Sequence, residues 1–262
     1  SLAETAGENS IARIIGVQSR NIFLAKLFKE RSAARRFDPV EFIYAVDSQR
    51  LSFQGVILDN YLLNEEQWIK ILGLPGSKAS QSLKDNFVYL LNAGLVDFPS
   101  DRLAGTVVDN SRINKVRFEY SSKVPLNEGD LLEAKVGKDT ILYQVVEGVT
   151  HTEVLESKNE AGHIIGEAVQ LGRWEAKEAK FRKFGWVPEM NTPMFLAGQL
   201  DKEPTLADGE VKAGTIPNTN YPILLNLREA ITHHTAILGV TGTGKSVFSR
   251  NLLRLAIKQG MK

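Results

Sequence analysis

The chain has 262 residues, with 32 Lys+Arg against 31 Asp+Glu, a formal net charge of +1 and no cysteine. Zero cysteine excludes a disulfide framework, a thiolate zinc site and a cysteine nucleophile in these residues, and fits a reducing cytoplasm. The near-neutral balance excludes a globally basic nucleic-acid binder, so any polyanion site has to be local; the length suits about two domains.

The first ten residues are polar and small, which predicts a loosely ordered terminus, and they lack the basic segment and apolar core of a signal peptide. No later apolar run approaches the roughly 18–20 residues of a membrane span. A soluble, cytoplasmic protein without membrane contact is expected. Residues 11–27 hold two β-branched and aromatic runs around Gln18-Ser19-Arg20-Asn21, which reads as strand, turn, strand. A basic stretch follows (Lys26, Lys29, Arg31, Arg35, Arg36), and residues 42–47 and 53–59 are again strand-like.

At Asn64 the character changes. Asn64-Glu65-Glu66 has the form of an N-cap with acids in the first turn, and predicts a helix through Gln67-Trp68-Ile69-Lys70-Ile71-Leu72 that Gly73 and Pro75 end. A second helix is predicted over residues 80–94, with Leu83, Phe87, Leu90 and Leu91 on one face and a stop at Gly94. From Leu103 onward, short alternating segments with turn punctuation predict a small β-barrel. Residues 11–21 and 103–113 share a faint likeness. Chance similarity between β segments is the default, and two related barrel openings the alternative. Residues 201–221 shift to Pro, Gly, Asn and Thr, which is linker chemistry and places the main boundary there.

Gly239-Val240-Thr241-Gly242-Thr243-Gly244-Lys245-Ser246 matches the phosphate-loop pattern G-x-x-x-x-G-K-[ST] at every fixed position. The run Thr235-Ala236-Ile237-Leu238-Gly239 before it suits a buried parallel strand. After it, Val247 or Phe248, Leu252 and Leu255 recur at helical spacing. Glycines at 239, 242 and 244 let the backbone turn its N–H groups inward as an anion nest at a helix N-terminus. Gly239, Thr241, Gly242, Thr243, Gly244, Lys245, Ser246 and Val247 are therefore the nucleotide-binding candidates, with ATP and Mg2+ the cofactors. Lys245 is the catalytic candidate, reaching β- and γ-phosphate oxygens as a point charge; the Ser246 hydroxyl is placed to ligate magnesium. The hydroxyls of Thr241 and Thr243 are expected to bond solvent or neighbours. An ordinary glycine-rich turn with a surface lysine is the bland alternative.

Sixteen residues follow Ser246, about one helix. They offer no second acidic strand, water-positioning residue or arginine finger, so residues 1–262 are expected to bind ATP weakly without turnover. The fold class predicted is mixed α/β: an N-terminal small β-barrel region with inserted helices, then the first strand–P-loop–helix unit of a truncated RecA-like parallel ATPase domain. The division expected is 1–100 as an extension or elaborated barrel part with two helices, 101–200 as a barrel, 201–221 as linker and 222–262 as the start of the ATPase domain.

The segment 225–246 resembles the entry into the ATPase domain of HerA-type hexameric translocases, in the wider FtsK/HerA group. Leu225-Asn226-Leu227, His234, the apolar run 236–239 and the T-G-[ST]-G-K-S run 241–246 carry the resemblance. Residues 103–199 look like the HAS barrel that begins HerA proteins, through 105–107, 126–133 and 188–197. Residues 1–100 depart from the simplest family pattern. The resemblance implies a hexameric ring, bacterial, that hydrolyses ATP and pulls double-stranded DNA through its pore. It also implies an effector, a NurA-like nuclease in end processing or a sirtuin-type or nuclease protein in anti-phage defence, docked through residues 1–200. The alternative is a β-barrel adaptor in which ATP orders ring assembly without translocation.

Other candidates carry bland readings beside the functional one. His233 and His234 lack further metal ligands at suitable spacing and read as structural histidines, with a place near the nucleotide as the alternative. His151 and His163 read as surface residues of barrel strands. Lys177, Lys180, Arg182 and Lys183 interleave with Phe181, Phe184 and Trp186, a pattern of nucleic-acid faces. Glu175 and Glu178 dilute it, and a solvated segment with buried aromatics is the default. The basic residues from Lys26 to Arg36 admit the same two readings, with subunit or partner contact as a rival.

Overall fold

The computed structural model describes residues 10–19, 21–28, 42–46, 52–63, 65–74, 86–91, 98–121, 124–155, 159–232 and 235–260. The chain divides into two compact units, one of Ser1–Leu103, Ser121–Val124 and His151–His163, the other of Ala104–Tyr120, Pro125–Thr150 and Ile164–Lys262.

In the first unit β1 (Ser10–Ser19), β2 (Ile22–Leu27), β3 (Phe42–Val46), β4 (Ser52–Leu63), β5 (Glu66–Leu74) and β6 (Phe87–Leu90) close a barrel in the order β1-β2-β5-β4-β3-β6. All six pairs are antiparallel, and Ser10↔Tyr89 and Ala12↔Val88 seal the ring. Alternate residues fill the interior, as the period-2 geometry of a strand requires: Ile43, Ala45, Ile57, Ile69, Ile71 and Val88 are fully buried. Phe23 and Phe53 stack with centroids 4.4 Å apart, and Gly73 gives them room. A Cβ there would lie 3.0 Å from the Phe23 ring and 3.3 Å from Phe53.

The second sheet, a half-barrel, comprises β7 (Leu103–Val107), β8 (Lys115–Tyr120), β9 (Leu131–Val136), β10 (Asp139–Leu155), β11 (Asn159–Glu175), β12 (Lys180–Arg182) and β13 (Pro193–Leu196). Its order is β10-β9-β13-β7-β8-β11-β12, and β10 also pairs β11. Apart from the short β12, the pairings therefore run in a cycle, β7-β8-β11-β10-β9-β13. Numbered from its own first strand, this is the order of the first barrel. The two segments of faint sequence likeness hold the same place in both, since each opens its sheet, and the aligned Ala12 and Ala104 are both fully buried.

The expected mixed α/β fold is thereby overturned: the described residues are mostly antiparallel β, without a parallel RecA-like unit among them. The first helix expected in residues 64–72 is the β4–β5 hairpin. Leu63 pairs Glu66, which leaves two residues for the turn, and Glu65 takes a left-handed φ of 61°. Ile69 and Ile71, two residues apart, both point into the barrel, which a helix could not arrange. The second expected helix is strand β6 over 87–90, entered through Asn86 with φ 66°. Its remaining residues 80–85 and 92–94 lie outside the described residues, as do Lys29, Arg31, Arg35 and Arg36 of the basic stretch. Lys26 is in β2 and pairs Glu66 at 2.6 Å.

Within 201–221, Glu210–Thr215 forms β14, paired antiparallel with β15 (Pro222–Asn226). Two helices follow, α1 (Leu227–Thr232) and α2 (Lys245–Lys258). Residues 235–239, expected as a strand, run without regular structure, as does Val240 after them. Leu238 is 88% and Val240 74% exposed. A buried parallel strand exists only through ladder partners on its flanks, and none of the described strands pairs with this run.

Candidate nucleotide-phosphate site

The loop opens α2, which packs on the β14–β15 hairpin. Val211, Leu227 and Ala256 form a small core, with Leu225, Leu252 and Leu255 packed against it. Asn226 caps α1 through its Oδ1, which accepts the Glu229 amide at 3.3 Å. The spacing Asn226-Leu227-Arg228-Glu229 is a cap signature that the sequence already carried. Of the helical positions expected to face inward, Leu252 and Leu255 join this core, whereas Val247 and Phe248 remain exposed.

Gly242 has φ 87° and Gly244 φ 82°, both in the left-handed region that a Cβ disfavours. Gly244 is the N-cap of α2, and its carbonyl accepts the Phe248 amide at 2.9 Å. Gly239 is glycine for another reason. A Cβ there would lie 2.7 Å from Thr243 Oγ1 and 3.4 Å from Lys245 Cγ.

One acceptor gathers the loop. The Val240 carbonyl receives Lys245 Nζ at 2.6 Å, Thr243 Oγ1 at 2.7 Å and the Thr243 amide at 3.4 Å. The Thr243 hydroxyl is thus satisfied by a neighbour. The lysine ammonium is folded back on its own loop, and an arriving anion has to compete with one carbonyl oxygen for it. No acid lies in the first turn of α2, so the positive end of the helix dipole is not neutralised there. The sequence motif identified Gly239, Thr241, Gly242, Thr243, Gly244, Lys245, Ser246 and Val247, and these form one exposed loop and helix start. It gave no sign of the Val240 carbonyl, because a backbone acceptor has no residue signature. His233 and His234 lie outside the described residues, and nothing is described of the His151 and His163 side chains.

The basic-aromatic run at 177–186 has a different character. Lys180 and Arg182 both pair Glu178, whose carboxyl is held below the usual range chiefly by the hydrogen bond from Lys180. Phe181 packs on Trp174 and Tyr221 at 5.0 and 5.9 Å rather than facing outward. Trp186 is 65% exposed. Among the described residues no three His, Cys, Asp or Glu side chains group to hold a metal ion, and no helix is long and apolar enough to cross a membrane.

Residues 211–262 match the family described as helicase HerA, central domain. The match begins in β14 and runs through α2, so it takes in the hairpin, the glycine loop and the helix together. It supports a P-loop ATPase of the HerA/FtsK type, and with it nucleotide binding in general. No curated protein matches the chain.

Proposed function

We propose that residues 239–247 bind the triphosphate of ATP and that the chain is a subunit of a HerA-type ring ATPase. The observation that carries this reading is a loop of left-handed glycines, Gly242 and Gly244, opening a 14-residue helix inside the HerA-matching segment. Amides at a helix N-terminus bind phosphate oxygens through both hydrogen bonds and the dipole. Lys245 leaves the Val240 carbonyl and neutralises charge on the β- and γ-phosphates. The exposed Ser246 hydroxyl would hold magnesium, which would supply positive charge against the phosphate oxygens.

In this proposal the ring is a cytoplasmic hexamer, double-stranded DNA is the polymer it moves, and residues 1–200 dock a nuclease or sirtuin-type effector. The test is titration of residues 1–262 with a fluorescent ATP analogue, wild type against Lys245→Ala. Binding that Lys245→Ala weakens at least tenfold supports the site; equal binding by both removes it. Stimulation of hydrolysis by duplex DNA in the assembled ring tests the motor. Ring assembly that depends on ATP without DNA-stimulated turnover would instead favour an adaptor.

A further inference from the structure

The β14–β15 hairpin is anchored at both ends. At its open end it carries the core against α2: Val211 and Leu225 pack with Leu252, Leu255 and Ala256. Gln259, just past the helix, donates from Nε2 to the Glu210 carbonyl at 3.3 Å. At its closed end, the turn from Ile216 to Tyr221 is fastened to the second sheet. Asn218 Nδ2 donates to Asp130 Oδ1 at 2.7 Å, and the other carboxylate oxygen accepts the Asn127 amide at 2.7 Å. Asp130 is only 2% exposed, so although Asn218 itself is exposed, the carboxylate is costly to leave without its partner. Asn220 imitates a strand partner, donating to the Leu200 carbonyl at 2.8 Å and accepting the Leu200 amide at 2.6 Å. Ile216 and Tyr221 insert into an apolar cluster with Leu131 and Leu142, and Trp174 meets Tyr221 edge-on at 5.2 Å.

We infer that this hairpin transmits nucleotide occupancy of the loop to the second sheet, and that Asp130 and Asn218 are the positioning pair that makes the transmission stiff. The inference rests on the proposed nucleotide site and goes beyond it by naming the route. The loop opens α2 directly, and a 14-residue helix extends about 21 Å as one body. A shift at its N-terminus on phosphate binding therefore reaches Leu252, Leu255 and Ala256. The hairpin there is a two-stranded ribbon, whose register is fixed by pairs from Glu210↔Asn226 to Thr215↔Pro222. Its far end is locked to the loop that begins β9 and, through the Asp130 carbonyl, to the Val145 amide of β10 at 2.9 Å. Asn218 has φ 58°, a conformation Asn and Asp adopt more readily than other non-glycine residues, so either can sit there.

The experiment is amide hydrogen exchange on residues 1–262 with and without saturating ATP analogue, with binding measured in the same samples. In the wild type, ATP is expected to slow exchange at least threefold at Gly129, Val145, Leu200 and Ile216. Asn218→Ala should bind nucleotide within threefold of wild type yet lose that distant response. The exchanged pair Asp130→Asn with Asn218→Asp keeps the charge, reverses donor and acceptor in the 130–218 hydrogen bond and leaves an amide oxygen at 130 to accept the Asn127 amide, and should restore it. Nucleotide binding without any change in those amides, or a response that survives Asn218→Ala, overturns the inference. Failure of the wild type to bind nucleotide instead overturns the site itself, and the transmission falls with it.

Discussion

Gly244→Ala isolates what the left-handed backbone contributes to the loop. A Cβ at Gly244 meets nothing within 4 Å, so substitution costs no packing. The cost is conformational, because φ 82° puts an L-residue in a region disfavoured by about 1–2 kcal/mol. If the phosphate-bound loop keeps this dihedral and the free loop can relax away from it, that cost falls on binding as a loss of about 5- to 30-fold. Gly239→Ala differs. Its Cβ would lie 2.7 Å from Thr243 Oγ1, so the loop has to open and the Thr243–Val240 bond is disturbed. The loss should exceed that of Gly244→Ala, and Thr243→Ala in the same chain should recover part of it by removing the clashing oxygen. Titration with a fluorescent ATP analogue measures all four proteins. Unchanged affinity in Gly244→Ala would refute the reasoning, as would an equal loss in Gly239→Ala with and without Thr243→Ala.

Tyr143 is fully buried and its hydroxyl has no partner among the described residues, so Tyr143→Phe should stabilise the fold by roughly 1–3 kcal/mol in urea unfolding. Burial pushes this phenol up to about 12 from 10.0. The folded state therefore holds the proton more tightly, and stability should fall as pH rises from 10 towards 12, a decline that Tyr143→Phe blunts. Gly166 pairs with Phe118 across β8 and β11, and a Cβ there would lie 2.3 Å from the ring. Gly166→Ala should cost about 1–3 kcal/mol, and a double-mutant cycle with Phe118→Leu should show that removing the ring cancels most of it.

The legible parts of the sequence are those in which residue identity itself states a backbone requirement. Glycine at 242 and 244 and lysine at 245 specify the loop locally, and the strands from 11 to 27 announce themselves through β-branched runs. The helices expected near 64 and 80 failed because cap chemistry and turn chemistry use the same residues. Asn64-Glu65 reads as a cap until it is seen that Glu65 takes a left-handed turn conformation and that Ile69 and Ile71 alternate inward. In the same way Pro217-Asn218-Thr219-Asn220 lies in the stretch expected as linker, yet it tips a hairpin whose alternation at Val211 and Lys212 is obscured by the surrounding polar residues. Residues 235–239 failed for the opposite reason. Their apolar, β-branched composition suits a strand, yet a strand is a relation between segments, and its partners cannot be read from its own letters.

Strand order is more remote still from local sequence. Six strands can be arranged in a ring in roughly 60 ways before the rule that sequential strands tend to be neighbours prunes them to a handful. Both sheets of this chain use the same one, and both begin at segments whose faint likeness alone would not distinguish kinship from chance. The burial of Ala12 and Ala104 at aligned places adds a side-chain correspondence to the topological one. Shared architecture does not fix a shared role, because function lies in the groups that a fold displays. The second sheet displays Asp130 to a hairpin that packs against α2, the helix opened by the glycine loop. A difference in role between the two sheets therefore rests on individual side chains such as Asp130, Asn218 and Tyr221, not on the order in which their strands are laced.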